Sequence, residues 1–126
     1  MNEVQKTPAY TGPCAKARAW LAGIENKPIS RARRWQYRQI AALDLPWQRR
    51  LDELGASMRQ VRWVASANQA GERRRRAQVD LRYRALVRFL EGKSEHATFQ
   101  DLVDSFATYD PRTGAEIPPV ATAAGT

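Results

Sequence analysis

Cysteine and histidine are nearly absent from this 126-residue chain, which holds one of each. A single cysteine excludes an intrachain disulfide framework, and one histidine leaves a conventional zinc site short of ligands. No cofactor or metal is expected. Long apolar runs are missing too: no stretch approaches the roughly 18 apolar residues that span a bilayer, so no membrane partner is expected. The opening Met1-Asn2-Glu3-Val4-Gln5-Lys6 is polar and leads into no apolar segment, which argues against a secretory signal. The expected location is cytoplasmic, or virion-associated if the chain is phage-encoded. No useful length alternates polar and apolar residues at period two, so no sheet is expected. The hydrophobic content of 43% is ordinary, enough for one domain but not for two independent cores.

Carboxylates are outnumbered, 13 Asp and Glu against 21 Lys and Arg, and the resulting net charge of +8 is unevenly placed. Residues 1–30 carry a net +2, residues 31–92 a net +9 and residues 93–126 a net −3. All fifteen cations of 31–92 are arginine, facing six carboxylates. Arginine presents a planar, permanently charged fork that binds phosphate or carboxylate bidentately and stacks on rings. A GC-rich coding bias accounts for the excess of Arg over Lys, but not for its clustering. The belt points to a polyanionic partner: a nucleic acid or an acidic protein surface.

Apolar spacing predicts helices throughout. Thr11-Gly12-Pro13 offers a start, with Thr11 as N-cap, and Cys14, Ala17, Leu21 and Ile24 follow at helical spacing. Ser30 caps a second helix over about 30–43, with Ile29, Ala32, Ile40 and Leu43 on one side and Arg31, Arg34 and Arg38 opposite. Pro46 restarts the pattern after a cap at Asp44 or Leu45. Trp47, Leu51, Leu54, Met58, Val61 and Ala65 then repeat at heptad spacing. A further helix over about 72–91 carries Val79, Tyr83, Leu86 and Leu90, with Gly92 just past its end. Asn68-Gln69-Ala70-Gly71 reads as a turn that folds these two long segments into an antiparallel hairpin; a single helix tolerating Gly71 is the alternative. Thr98-Phe99-Gln100-Asp101 resembles a capping box opening a short helix to about Thr108. Asp110-Pro111, Gly114 and Pro118-Pro119 disfavour regular structure beyond it.

The expected fold is therefore all-α: a small helical bundle of four to five helices, with a long central helical hairpin and an extended C-terminal tail. Residues 1–10 form a lead-in, 11–108 the basic helical domain and 109–126 the tail.

Within 48–66 the chain reads QRRLDELGASMRQVRWVAS. This resembles a bacterial helix-turn-helix, with Gly55 at the turn and Leu54, Ala56, Val61 and Val64 at positions such motifs keep apolar. Ser57 would cap a second helix presenting Arg59, Gln60, Arg62 and Trp63, residue types that read base edges in the major groove. Leu51 stands where a small residue is usual and Arg50 where an apolar one is. The heptad spacing runs straight through Gly55-Ala56-Ser57 and favours one uninterrupted helix from 46 to about 68, with the helix-turn-helix as the alternative.

Arg73, Arg74, Arg75 and Arg76 encircle one helical turn, so at least two must face solvent or a partner; Arg82, Arg84 and Arg88 extend the charge. Four adjacent cations repel one another and add nothing to the fold, so a partner anion is expected, with a solvated helix start as the alternative. Trp35 and Trp63 lie off the apolar stripes among arginines, which suits stacking on bases, a protein hot spot, or burial on a second helix face. Candidate binding residues are thus Arg31, Arg34, Trp35, Arg38, Arg59, Arg62, Trp63, Arg73, Arg74, Arg75, Arg76, Arg84 and Arg88.

Enzyme signals are weak. Gly92-Lys93-Ser94 resembles the end of a P-loop, but Val87 stands where its first glycine belongs. Asp101 and Asp104 fit the helix macrodipole better than a cation site. His96 reads as solvent-exposed and Cys14 as a small packed residue, so no nucleophile–base pair assembles. The sequence points to a non-enzymatic nucleic-acid binder gripping phosphates through 31–92. The alternative is a protein-interaction or structural subunit, as a homo-oligomer or within a larger phage- or plasmid-type assembly.

Overall fold

The structure, a computed structural model, describes residues 12–23, 29–67, 72–106, 108–109, 113 and 115–117, with the backbone alone at 72–73 and 108–109. The protein is all-α in character. Its helices are α1 (Pro13–Leu21), α2 (Arg31–Ala41), α3 (Leu45–Glu53), α4 (Met58–Ala65), α5 (Glu72–Leu90) and α6 (Phe99–Asp104). Where composition led to one domain, the chain divides into two compact units, residues 1–66 and 67–126.

In the first unit α1 packs against α2, α3 and α4, and α2 also packs against α3 and α4. A helix with three neighbours must bury more than one stripe, and α1 does so with small side chains: Cys14, Ala15, Ala17 and Ala19 are all buried. Ile40, Leu51, Val61 and Val64 fill the core around it, each fully buried. Tyr37 is also buried, on the same side of α2 as Ile40. Ala32, expected on that stripe, is exposed instead, because the first turn of α2 extends beyond the core.

The helix expected to run unbroken from 46 to 68 breaks at Gly55. Gly55 adopts φ +81°, a left-handed conformation open to glycine at little steric cost. Its N–H donates to Asp52 O at 3.1 Å and the Ala56 N–H to Leu51 O at 3.0 Å, the paired bonds of a Schellman motif. Two residues on, Ser57 Oγ accepts from the Gln60 N–H at 3.1 Å and Gln60 Oε1 from the Ser57 N–H at 2.9 Å, a reciprocal capping box. A terminator and an initiator back to back outweigh the cost of stopping. The apolar period survives because α3 and α4 bury their stripes against the same α1. α4 ends at Ala65, which excludes one helix running on through Gly71; the turn expected at 68–71, and with it the hairpin, lies outside the described residues.

Two polar side chains one turn apart on α3 fasten this unit. The N-cap of α1 is Gly12 rather than Thr11, which lies outside the described residues, and the capping group comes from elsewhere. Asp52 accepts the Cys14 N–H at Oδ1 and the Ala15 N–H at Oδ2, both at 3.0 Å. A Cβ on Gly12 would overlap that carboxylate. One turn back, the buried Gln48 donates from Nε2 to Leu43 O at 2.8 Å and Ala41 O at 3.2 Å, closing the end of α2, while its Oε1 accepts from Arg18 Nη1 of α1.

In the second unit α5 packs on α6, with Leu86, Phe99 and Leu102 buried and the Phe89 and Phe99 rings 6.4 Å apart. Gly92 terminates α5 as expected, at φ +77°. Thr98 and Asp101 form the expected capping box of α6. The stripe on α5 differs in one respect: Val79 and Leu86 are buried, Tyr83 and Leu90 only half so, and Arg82 joins the buried side at 6% exposure. Burial holds the Arg82 guanidinium below the usual arginine range, so this residue does not continue an outward charge. The tail, expected to lack regular structure, carries a minimal ladder. β1 (Thr108–Tyr109) and β2 (Glu116–Ile117) pair antiparallel, with Thr108 opposite Ile117.

Substitutions at three positions test these fastenings by urea unfolding. Asp52→Ala is expected to lose about 1–2 kcal/mol, the usual scale of a lost N-cap. Gly12→Ala displaces the same carboxylate, so the double variant should lose much less than the sum of the two singles. Full additivity would show that the two residues act separately. Gly55→Ala should cost about 1–2 kcal/mol through its left-handed backbone, and Gly55→Asn less.

Candidate nucleic-acid interface

At about 100° per residue, Tyr37 and Ile40 set the buried side of α2, which leaves Arg31, Trp35 and Arg38 on the opposite side and Arg34 on its flank. All four are exposed, and Trp35 retains 53% of its surface. Burial on a second helix face is therefore not what holds Trp35. On α4, Val61, Val64 and Ala65 are buried; Arg59 is exposed, and Arg62 and Trp63 are half-buried on its remaining sides. Arg62 joins the two helices, its Nη1 donating to Gln36 Oε1 at 3.3 Å. The first unit thus carries Arg31, Trp35 and Arg38 on the outer face of α2, with Arg34 on its flank, and Arg59, Arg62 and Trp63 on α4, while the Gln36 that meets Arg62 lies toward the inner side of α2.

Between these helices and the start of α1 lies an open cleft of about 540 Å³. Lys16 of α1, Arg33 and Gln36 of α2, Ser57 at the start of α4 and Arg62 further along it line the cleft, with Tyr37 at its wall. No acidic residue lines it among the described residues. Asp52, behind Gly12, already accepts two N–H groups from α1.

Compared with known proteins, the chain matches no family model, no curated sequence and no solved structure. What the site can do rests on its own geometry.

The remaining candidates belong to α5 and the second unit. Arg74 and Arg76 are exposed and Arg75 half-buried, as a run encircling one turn requires; the side chain of Arg73 lies outside the described residues. Arg84 is exposed, but its Nε donates to both oxygens of Asp80 at 3.1 Å, an i,i+4 pair. Such an exposed pair contributes little to stability and leaves the rest of the fork available. Arg88 is exposed and donates from Nη2 to Lys93 O at 2.9 Å, so it helps close the end of its own helix. Leu81, 51% exposed, lies on the same outer side as Arg74, Arg84 and Arg88.

The nucleophile and ligand candidates do not assemble. Cys14 is fully buried, and burial first, then the neighbouring Asp52 carboxylate, push its thiol well above the ordinary range, so it stays protonated. His96 is half-buried rather than exposed, with Nε2 3.9 Å from Glu95. Asp101 caps α6, and Asp104 accepts from Gln100 Nε2 at 2.8 Å. No group of three metal-ligating side chains occurs among the described residues, and none of their helices is long and apolar enough to cross a membrane.

Sequence reasoning missed Lys16, Arg33, Gln36 and Tyr37, because their meeting depends on how three helices cross. One signal was present: Arg33 stands apart from Arg31, Arg34 and Arg38, on the side of Tyr37 and Ile40. For Cys14, native protein should react with a thiol reagent only as fast as it unfolds; rapid labelling under native conditions would contradict its burial.

Proposed function

We propose that this protein binds nucleic acid without catalysis, and that residues 12–66 do so as a helix-turn-helix unit with α4 as the recognition helix. The observation that carries the reading is the break at Gly55. It makes α4 a separate, capped helix whose buried side is Val61, Val64 and Ala65 and whose other sides carry Arg59, Arg62 and Trp63. Arginine is the side chain that pairs with guanine edges, while Gln60 is held in the capping box that starts the helix. Arg31, Arg34 and Arg38 of α2 supply phosphate contacts, and Trp35 a stacking surface. Arg73, Arg74, Arg75 and Arg76, with Arg84 and Arg88, add sequence-independent attraction to the polyanion. A cytoplasmic location fits this role.

A second reading, an interaction subunit of a larger assembly, is favoured by the large apolar side chains left in water. Trp35, Leu45 and Leu81 are 53%, 42% and 51% exposed. Under that reading the arginines meet acidic protein surfaces and Trp35 is an anchor.

Fluorescence anisotropy with a labelled DNA duplex separates the two. Nucleic-acid binding predicts an affinity that falls steeply between about 50 and 200 mM salt. Arg34→Gln should weaken all sequences alike and lower the salt slope by about one. Arg59→Ala should cost about 1–3 kcal/mol on preferred sequences only. Absence of binding at low salt, with self-association or partner capture lost in Trp35→Ala, would favour the assembly reading.

A further inference from the structure

We infer that the cleft between α1, α2 and α4 is a phosphate-binding site, built from Lys16, Arg33 and Arg62 around the start of α4. Three cations from three helices converge on one open cavity of about 540 Å³ with no acidic residue in its lining among the described residues. Cations gathered in this way repel one another, and an oxyanion between them relieves that repulsion. The positive end of the α4 macrodipole borders the same space.

Polar side chains in the cleft complete the arrangement. Gln36 Oε1 accepts from Arg62 Nη1, which holds one edge of the guanidinium and leaves its other N–H groups for a ligand. Tyr37 is only 4% exposed and lines the cleft, and its hydroxyl has no hydrogen-bond partner among the described residues. A phenol at the wall of an open cleft can donate to an acceptor placed there. Neither Lys16 nor Arg33 makes an ion pair among the described residues. A phosphate group suits the site: its oxygens accept from Arg forks, an ammonium and a phenol at once.

The phosphate has two possible sources. It is either a backbone phosphate of the nucleic acid read by α4, an assignment that rests on the proposed function, or a free phosphate or phosphomonoester, which does not need it. Amide NMR titrations of the full chain distinguish these sources. Sodium phosphate should shift Lys16, Gln36, Ser57 and Met58 saturably, beyond what sodium chloride does at equal ionic strength. Lys16→Gln, Arg33→Gln and Tyr37→Phe should each weaken that binding, the two charge removals by about tenfold, and Arg49→Gln, exposed on α3 and outside the cleft lining, should not. Lys16 and Arg33 are exposed, so their replacement leaves the core intact.

A parallel fall in duplex affinity in the cleft variants assigns the site to backbone phosphate. Unchanged duplex affinity, or no duplex binding by the wild type, assigns it to a free phosphate while leaving the cleft in place. Cleft amides that respond to phosphate no more than to chloride would overturn the proposal.

Discussion

The first unit depends on one carboxylate. Asp52 receives the Cys14 and Ala15 N–H groups, which would otherwise be orphaned donors at a partly buried helix start. Losing such a cap costs about 1–2 kcal/mol, so the bond pair sets where α1 begins and how closely α3 lies to it. Gln48, one turn earlier, does the complementary work at the end of α2 and reaches Arg18 of α1. Between them Leu51 is fully buried. One short helix therefore carries an apolar wedge and two polar fasteners on the same side. Gly12 belongs to this arrangement, since any side chain there would occupy the space of the carboxylate.

This fastening explains how a large leucine is accommodated at position 51, where a helix-turn-helix usually keeps a small residue. The room comes from α1, whose buried side chains are cysteine and alanines. With α3 held to α1, the Schellman turn at Gly55 releases α4 in a new direction, and Ser57 with Gln60 secures its start. Gln36, toward the inner side of α2, then meets Arg62 of α4. Charge alone could not have organised this surface, because like charges repel; the apolar and capping interactions place the arginines.

The helix ends were legible in the sequence wherever their chemistry is local. Ser30, Gly92 and the Thr98–Asp101 box all behave as their residue types dictate. The break at Gly55 was legible only as an alternative. Apolar periodicity reports which residues face the core, and both α3 and α4 face α1, so the stripe continues through a change of axis. The exposure of Trp35 was legible only as one alternative to burial on a second helix face, whereas the outward arginines of α2 followed from the opposite stripe. Arg82 did not, because a long side chain can be drawn into a buried stripe that periodicity assigns to apolar neighbours. Asp52, Gln48 and the lining of the cleft act across α1, α2, α3 and α4, where no spacing rule in one segment marks them.

The role of Asp52 can be measured directly by native-state hydrogen exchange. First-turn amides of a helix with a free start exchange rapidly, through local fraying. If the carboxylate closes α1 as described, the Cys14 and Ala15 amides exchange only through the same large opening that exposes the Val61 amide in α4. Fast exchange at Cys14 and Ala15, with Val61 still protected, would contradict the account.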